Sequence, residues 1–439
     1  MNRLIPQADV MLHKRHAQIG PTKSVFDELI DRHAEAYKEA FPEVKEFNGF
    51  ERSGTGNYYI GMVWTNDNEK PDTNMLRIRG SYNLTENRIV ELDTGAIDCQ
   101  QSFFPGQIIA FLGDPFTKRY LTIRKILDPM RIAPPMKTIN TDNEIRLIVA
   151  SGPYMKPEQE DWSLYEKIIE SVKEHNATHL VLMGPFVDVD NKIVRGRYDI
   201  NWRACFDRLV EGLFNHPCCI YLVPSSRDVL PNYLSATYFY PSPPLDIDIR
   251  VKEGIAPKCR IIPVSDPAQI DLGGVYLDTT SAEVLFHLNR CSSFINKGGN
   301  TFNCMYRHLL SQGIYPIFPA PNEMAVDYPK LAKHIQLDRL GPHIVALSSR
   351  FNTSVNNVEN RLIITAQKCS TKKQVVLVSI PKIESTPEAP INSVVITDFT
   401  HKIIDLLPSS DDSSQMSVDT APKLESQQTS QPISVGSDS

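Results

Sequence analysis

From residue 145 to about 405, short apolar runs alternate with amphipathic segments, and this alternation restricts the chain to a layered α/β architecture. The runs IRLIVA, HLVLMG, CCIYLV, RIIPV, VYLDT, HIVALS, RLIITA and QVVLVSI read as buried strands, because each is short, rich in β-branched side chains and closed by turn formers. Between them, NWRACFDRLVEGLF sets Trp202, Cys205, Phe206, Leu209, Val210, Leu213 and Phe214 on one helical face, and FNCMYRHLL repeats the pattern.

Upstream the period changes. TKSVFDELIDRHAEAYKEAF places Val25, Leu29, His33 and Tyr37 four residues apart, which predicts an amphipathic helix or helix pair. The runs YYIGMVW, MLRIRGSY, RIVELD, QIIAFLGD and YLTIRKIL follow, separated by turn formers, and predict a small antiparallel barrel or sandwich, with the OB-fold as the leading candidate. RIAPPMKTINTD reads as a linker. After Leu407 the chain carries ten serines in 32 residues with few large apolar groups, a composition that cannot offset its ordering entropy. The expected division is a helical segment at 1–46, an OB-fold domain at 47–135, an α/β domain at 136–405 and a disordered Ser-rich tail at 406–439.

Composition narrows function. A net charge of −6 and a pI near 6.0 argue against a free-standing binder of duplex DNA. The eight cysteines form no CxxC pair, so neither a zinc site nor a disulfide framework is expected. No stretch reaches the ~18 apolar residues of a membrane-spanning helix.

Chemistry in such a sheet belongs at the carboxyl ends of its strands. Two-metal phosphoester hydrolysis needs carboxylates and imidazoles there, holding ions about 3.5–4 Å apart. The first strand instead ends in Ser151-Gly152-Pro153, the second in Gly184-Pro185, the third in Ser225-Ser226-Arg227-Asp228 and a late one in Ser348-Ser349-Arg350. Ser151, Pro153, Pro185, Ser226, Arg227 and Ser348 thus stand where metal ligands would be required, and Arg227 is a fixed cation. Asp188 and Asp228 survive, and are expected to cap backbone N–H groups. His179 and His287 read as packed histidines, Cys218 and Cys219 as inert thiols on opposite faces of a strand, and Ser265 and Ser281 lack partners for a nucleophile.

The words SFFPGQIIAFLGDP, IVASGPY, LMGPFVDVDN and LVPSSRDVLPNYLSATYFYPSPPLD, in this order, closely resemble the B subunits of replicative DNA polymerases, the alpha branch more than delta or epsilon. The resemblance runs with interruptions from about residue 20 to 405. It implies an OB barrel joined to an inactive calcineurin-like phosphodiesterase domain, with the early helix packed on the latter. It also implies a non-catalytic scaffold without cofactors. Such a scaffold binds the zinc-bearing C-terminal domain of the polymerase alpha catalytic subunit, in a nuclear complex with primase that initiates replication. A separate N-terminal domain is frequent in that family, whereas this chain starts almost at the core and adds the serine-rich tail.

A scaffold needs interface anchors. Tyr238, Phe239 and Tyr240, and further along Tyr315 and Phe318, lie in proline-rich stretches and are expected to be exposed for a partner. A competing function is single-strand DNA binding by the barrel, with Tyr58, Tyr59, Trp64, Phe103 and Phe104 stacking on bases and Arg77, Arg79, Lys118, Arg119, Arg124 and Lys125 supplying charge. Any such DNA contact is expected to be weak or indirect. Active hydrolysis is the third reading, disfavoured by the missing ligands.

Overall fold

Helix α1 (Val25–Ala40) starts where Ser24 and Asp27 form a reciprocal capping box, and it buries Phe26, Leu29, Ile30, His33, Ala34 and Tyr37; of the stripe expected from the sequence, Leu29, His33 and Tyr37 are buried and Val25 is half-buried. This computed structural model describes residues 24–406 apart from 51–56, 67–68, 98–99, 118–119, 194, 229–256, 296–298, 335–339 and 384–397. The tail after Leu406 and the first 23 residues lie outside them; Leu406 itself is buried with the folded part.

Strands β1 (Asn57–Val63), β2 (Met75–Arg79), β3 (Ile89–Asp93), β5 (Ile108–Thr117) and β6 (Tyr120–Ile126) close a five-stranded barrel in the order β1-β2-β3-β6-β5, with β4 (Gln101–Phe103) outside it. Within the barrel the β3–β6 pairing is parallel and the others antiparallel. Its interior holds Tyr59, Leu76, Ile78, Leu92, Ile109, Phe111, Leu121 and Ile123.

Beyond the barrel lie two sheets face to face. β7 (Ile145–Ser151), β8 (His179–Met183), β9 (Cys219–Val223) and β10 (Arg260–Pro263) run parallel; β17 (Gln374–Ile380) pairs antiparallel with β7, and β18 (Thr400–Asp405) antiparallel with β17. The order of this sheet is β10-β9-β8-β7-β17-β18. The second sheet contains β11 (Ala268–Asp271), β12 (Tyr276–Thr280), β14 (Ile344–Ser349), β15 (Ser354–Val358) and β16 (Arg361–Gln367), in the order β11-β12-β14-β16-β15. A short β13 (Ser293–Ile295) pairs with β4. Alternation explains the layering. Leu147 and Val149 face the second sheet across the inner core, while Ile148 and Ala150 face α2 (Ser163–Glu174) and α3 (Tyr198–Leu213). On the far side Val345, Leu347 and Ile363 pack under α4 (Val284–Cys291) and α5 (Thr301–Gln312).

Two sequence expectations fail here. The stretch 131–142 is no free linker: Ile132, Ile139 and Thr141 are buried, Pro134 O accepts from Arg361 Nη2 at 2.9 Å, and Met136 and Thr141 bridge to Gly341 and Ile383. Its prolines suit an extended path laid over the sandwich. Tyr315 and Phe318 are likewise not open anchors. Tyr315 is fully buried, and the Phe318 ring lies 3.9 Å from Phe26 of α1 and 5.0 Å from Tyr328 at the start of α6 (Tyr328–His334). The prolines after α5 route the chain between α1 and the barrel, so the aromatics fill an internal seam. Tyr238, Phe239 and Tyr240 lie outside the described residues.

That seam explains FFPGQ. Gly106 has φ +91°, and a Cβ there would sit 2.5 Å from Phe318 N, so only glycine allows the close approach in which Phe318 N–H donates to Pro105 O at 2.9 Å. Gln312, buried at the end of α5, donates Nε2–H to Ile108 O at 3.0 Å and accepts from Ile108 N at 2.8 Å. Gln312→Ala leaves both buried backbone groups of Ile108 unpaired, and is expected to destabilise the protein by about 2–4 kcal/mol in urea unfolding.

Candidate functional site: the crevice at the strand ends

β7, β8 and β9 end side by side, so the loops after them converge on one crevice. They are packed backbone to backbone. Gly152 N–H donates to Met183 O and Gly184 N–H to Val223 O, both at 2.8 Å, which carries the ladder one residue past each strand. A Cβ on Gly152 would lie 2.3 Å from Pro185 O, and one on Gly184 would lie 2.9 Å from Asp228 Oδ2. The prolines after both glycines follow cis peptide bonds.

Asp228 is the hub of this packing. Its Oδ1 accepts from Phe186 N at 2.7 Å and Val187 N at 3.0 Å, and its Oδ2 accepts from Ser225 N at 3.0 Å. The capping role expected from the sequence is therefore realised, with the cap joining two loops. Burial pushes the Asp228 carboxyl up to about 7 against the pull of those amide hydrogens. Asp188 is bound differently. Arg227 Nη2 donates to Asp188 Oδ2 and to Asp190 Oδ2, both at 2.8 Å, so one guanidinium clamps the loop after β8 to the loop after β9. Burial raises the Asp188 carboxyl, with Arg227 opposing the rise.

Across the crevice the second sheet closes the site. Ser151 Oγ and Ser348 Oγ share a hydrogen bond of 2.7 Å, and both residues are buried. Glu283 pairs with both Arg350 and Lys368, and Arg350 also lies 4.4 Å over the Phe286 ring. The partners of Arg350 escaped sequence reasoning, although Glu283, a lone carboxylate beside VLFHL, was a legible signal.

These side chains do not fit a pair of divalent ions. One remaining carboxylate is tied to three backbone amides and two others to a guanidinium, while serines and prolines occupy the other positions; among the described residues no three His, Cys, Asp or Glu side chains gather as a metal site would need. Ser226 and Pro185 complete the lining without adding a ligand, Ser226 Oγ resting 3.5 Å from Met324 Sδ.

The remaining candidates are structural. His179 bonds Thr178 Oγ1 at 2.8 Å and stacks on Tyr221; His287 bonds the Tyr315 hydroxyl at 3.0 Å, and burial lowers it to about 4. Cys218 lies in the outer core while Cys219 packs on the inner one. Ser265 donates to Pro267 O and Ser281 to Asp266, so neither hydroxyl is paired with a histidine. In the barrel, Tyr59, Phe103 and Phe104 are fully buried, and Tyr58 and Trp64 half-buried. Three of its cations are engaged: Arg79 with Asp27 and Asn87, Arg77 with Glu91, Arg124 with Asp114. Lys125 is exposed, and Lys118 and Arg119 lie outside the described residues. The stacking platform expected for single-stranded DNA is thus not assembled from the named aromatics.

Arg227→Ala leaves the mostly buried Asp188 without its counter-charge and is expected to cost about 1–3 kcal/mol by chemical denaturation. Asp228 gives a pH test. Its folded pKa stands above the ordinary 3.8, so its contribution to stability is full at low pH and is lost as pH rises through about 7. The stability of Asp228→Asn relative to the parent is therefore expected to improve steadily from about pH 4 to about pH 7 and to level off above it, read from paired urea titrations.

The family model for the B subunit of DNA polymerases alpha and epsilon matches residues 147–356, from within β7 to within β15. Relatives named as the B subunit of DNA polymerase alpha include one from Mus musculus, 24% identical over 308 residues, covering 68% of this chain and 50% of the relative. Another, from Drosophila melanogaster, is 25% identical over 381 residues, covering 85% and 59%. The Schizosaccharomyces pombe relative is 25% identical over 293 residues, covering 61% and 49%. The chain spans about half the length of the curated relatives it matches. Among solved structures, an archaeal phosphodiesterase is similar at 9% identity with a TM-score of 0.26, covering 59% of this chain and all of that one, a likeness too slight to bear on the fold. The family match and the three relatives agree: the chain is similar to the B subunits of DNA polymerases alpha and epsilon.

Proposed function

We propose that this chain is a non-catalytic scaffold subunit of a DNA polymerase alpha–primase assembly in the nucleus, holding the C-terminal domain of the catalytic subunit and supporting initiation of replication. The observation that carries this reading is the strand-end crevice, which is built as a clamp. Arg227 and Asp228 hold the loops where hydrolysis would need open positions for ions and water. On this reading the barrel is an OB domain and the sandwich an inactive calcineurin-like phosphodiesterase domain, divided near residue 135. The shared core of α1, barrel and sandwich supports a rigid body able to present one continuous surface to a partner. Obligate partners of this kind bury about 2,000 Å² or more.

Co-expression with the C-terminal domain of a polymerase alpha catalytic subunit is expected to yield an equimolar complex on gel filtration. Elution of the folded chain alone would overturn the scaffold reading. With manganese added, no turnover of a chromogenic phosphodiester is expected, and metal-dependent turnover abolished by Asp228→Asn would overturn the non-catalytic one.

A further inference from the structure

The seam among α1, the barrel and α6 holds a cavity of about 30 Å³. Leu29, Met62, Phe318 and Leu331 give it apolar walls, and four residues with polar side chains, His33, Gln312, Tyr315 and Tyr328, also line it. Both tyrosine hydroxyls are engaged elsewhere, Tyr315 with His287 Nδ1 at 3.0 Å and Tyr328 with Ala320 N at 2.7 Å and Ile317 O at 3.2 Å. His33 is different. It is 1% accessible, and its Nδ1 lies 2.7 Å from Leu29 O. A carbonyl oxygen only accepts, so Nδ1 carries the proton, and burial keeps the ring neutral by lowering its pKa to about 4. Nε2 is therefore a bare acceptor, and no donor among the described residues reaches it. Gln312 holds the complementary group: its Nε2 gives one hydrogen to Ile108 O at 3.0 Å and has a second.

Size decides what can sit there. Sites for small-molecule ligands run to about 300–1,000 Å³, far beyond this one, whereas a water needs about 10–15 Å³. A wholly apolar cavity stays dry, but a bare buried acceptor is costly until something donates to it. We propose that the cavity is a hydration site, in which about one or two ordered waters donate to His33 Nε2 and accept from Gln312. The waters complete a hydrogen-bonded path from the Leu29 carbonyl of α1 through His33 and Gln312 to Ile108 of β5, so α1 is keyed to the barrel by bond direction as well as by apolar contact. A small apolar guest would fill the volume and leave Nε2 unpaired. The hydration site stands independently of the scaffold reading.

Crystals of the full chain, with and without xenon under pressure, test this. The parent is expected to show a water peak about 2.7–3.2 Å from His33 Nε2 and no xenon in the cavity. His33→Leu, similar in volume but without the acceptor, is expected to lose that water and take up xenon at least about tenfold more tightly than the parent. His33→Gln keeps an acceptor and is expected to keep the water. Where the leucine variant does not fold, the parent and the glutamine variant decide. Absence of the water peak beside a well-ordered His33, xenon in the parent cavity, loss of the water in His33→Gln, or xenon uptake that His33→Leu leaves unchanged would overturn the proposal. So would a nitrogen NMR spectrum of the parent in which His33 carries its proton on Nε2.

Discussion

Parallel strands that end side by side leave their last backbone groups and three loops crowded into one crevice, and the fold holds only if something ties those loops together. Here the tie is made by the protein's own side chains. Asp228 accepts from amides of the loops after β8 and β9, and Arg227 reaches across to Asp188 and Asp190. Gly152 and Gly184 permit the close backbone approach, and Ser151 joins Ser348 of the facing sheet. A charge-assisted pair with a carboxylate hub crosslinks a site of this size without outside ligands, and the same contacts engage Asp188, Asp190 and Asp228.

The second organising contact is the seam among α1, the barrel and the sandwich. Gln312 completes the backbone pairing of Ile108, the turn at Gly106 presses against Phe318, and Phe26 of α1 packs on the same ring. β4 pairs with β13, which adds a two-stranded bridge between barrel and sandwich. Buried polar pairings with fixed geometry hold the relative orientation more strictly than apolar packing alone, because any slip leaves amides unpaired. Rigidity of this kind is what the proposed scaffold role would require.

The sequence was legible where one physical rule dominates. Apolar periodicity located the five barrel strands, the eight runs of the sandwich and α1, because period and burial follow directly from side-chain order. The missing ligands were legible too, since a proline or serine at a strand end cannot become a carboxylate in any fold. Short edge strands such as β11, β15 and β18 escaped, being too polar to stand out.

What the tertiary structure alone decided is where long-range partners meet. Proline-rich stretches look open in a sequence, yet residues 131–142 and 313–320 are pressed into the body because distant elements cover them. Tyr315 meets His287 and Phe318 meets Phe26 across separations no local pattern encodes. Arg227 reads from sequence as a lost ligand, and only the folded chain brings Asp188 and Asp190 to it and turns the loss into a clamp. Local order sets which residues face inward; which of them touch depends on the summed packing of the whole chain.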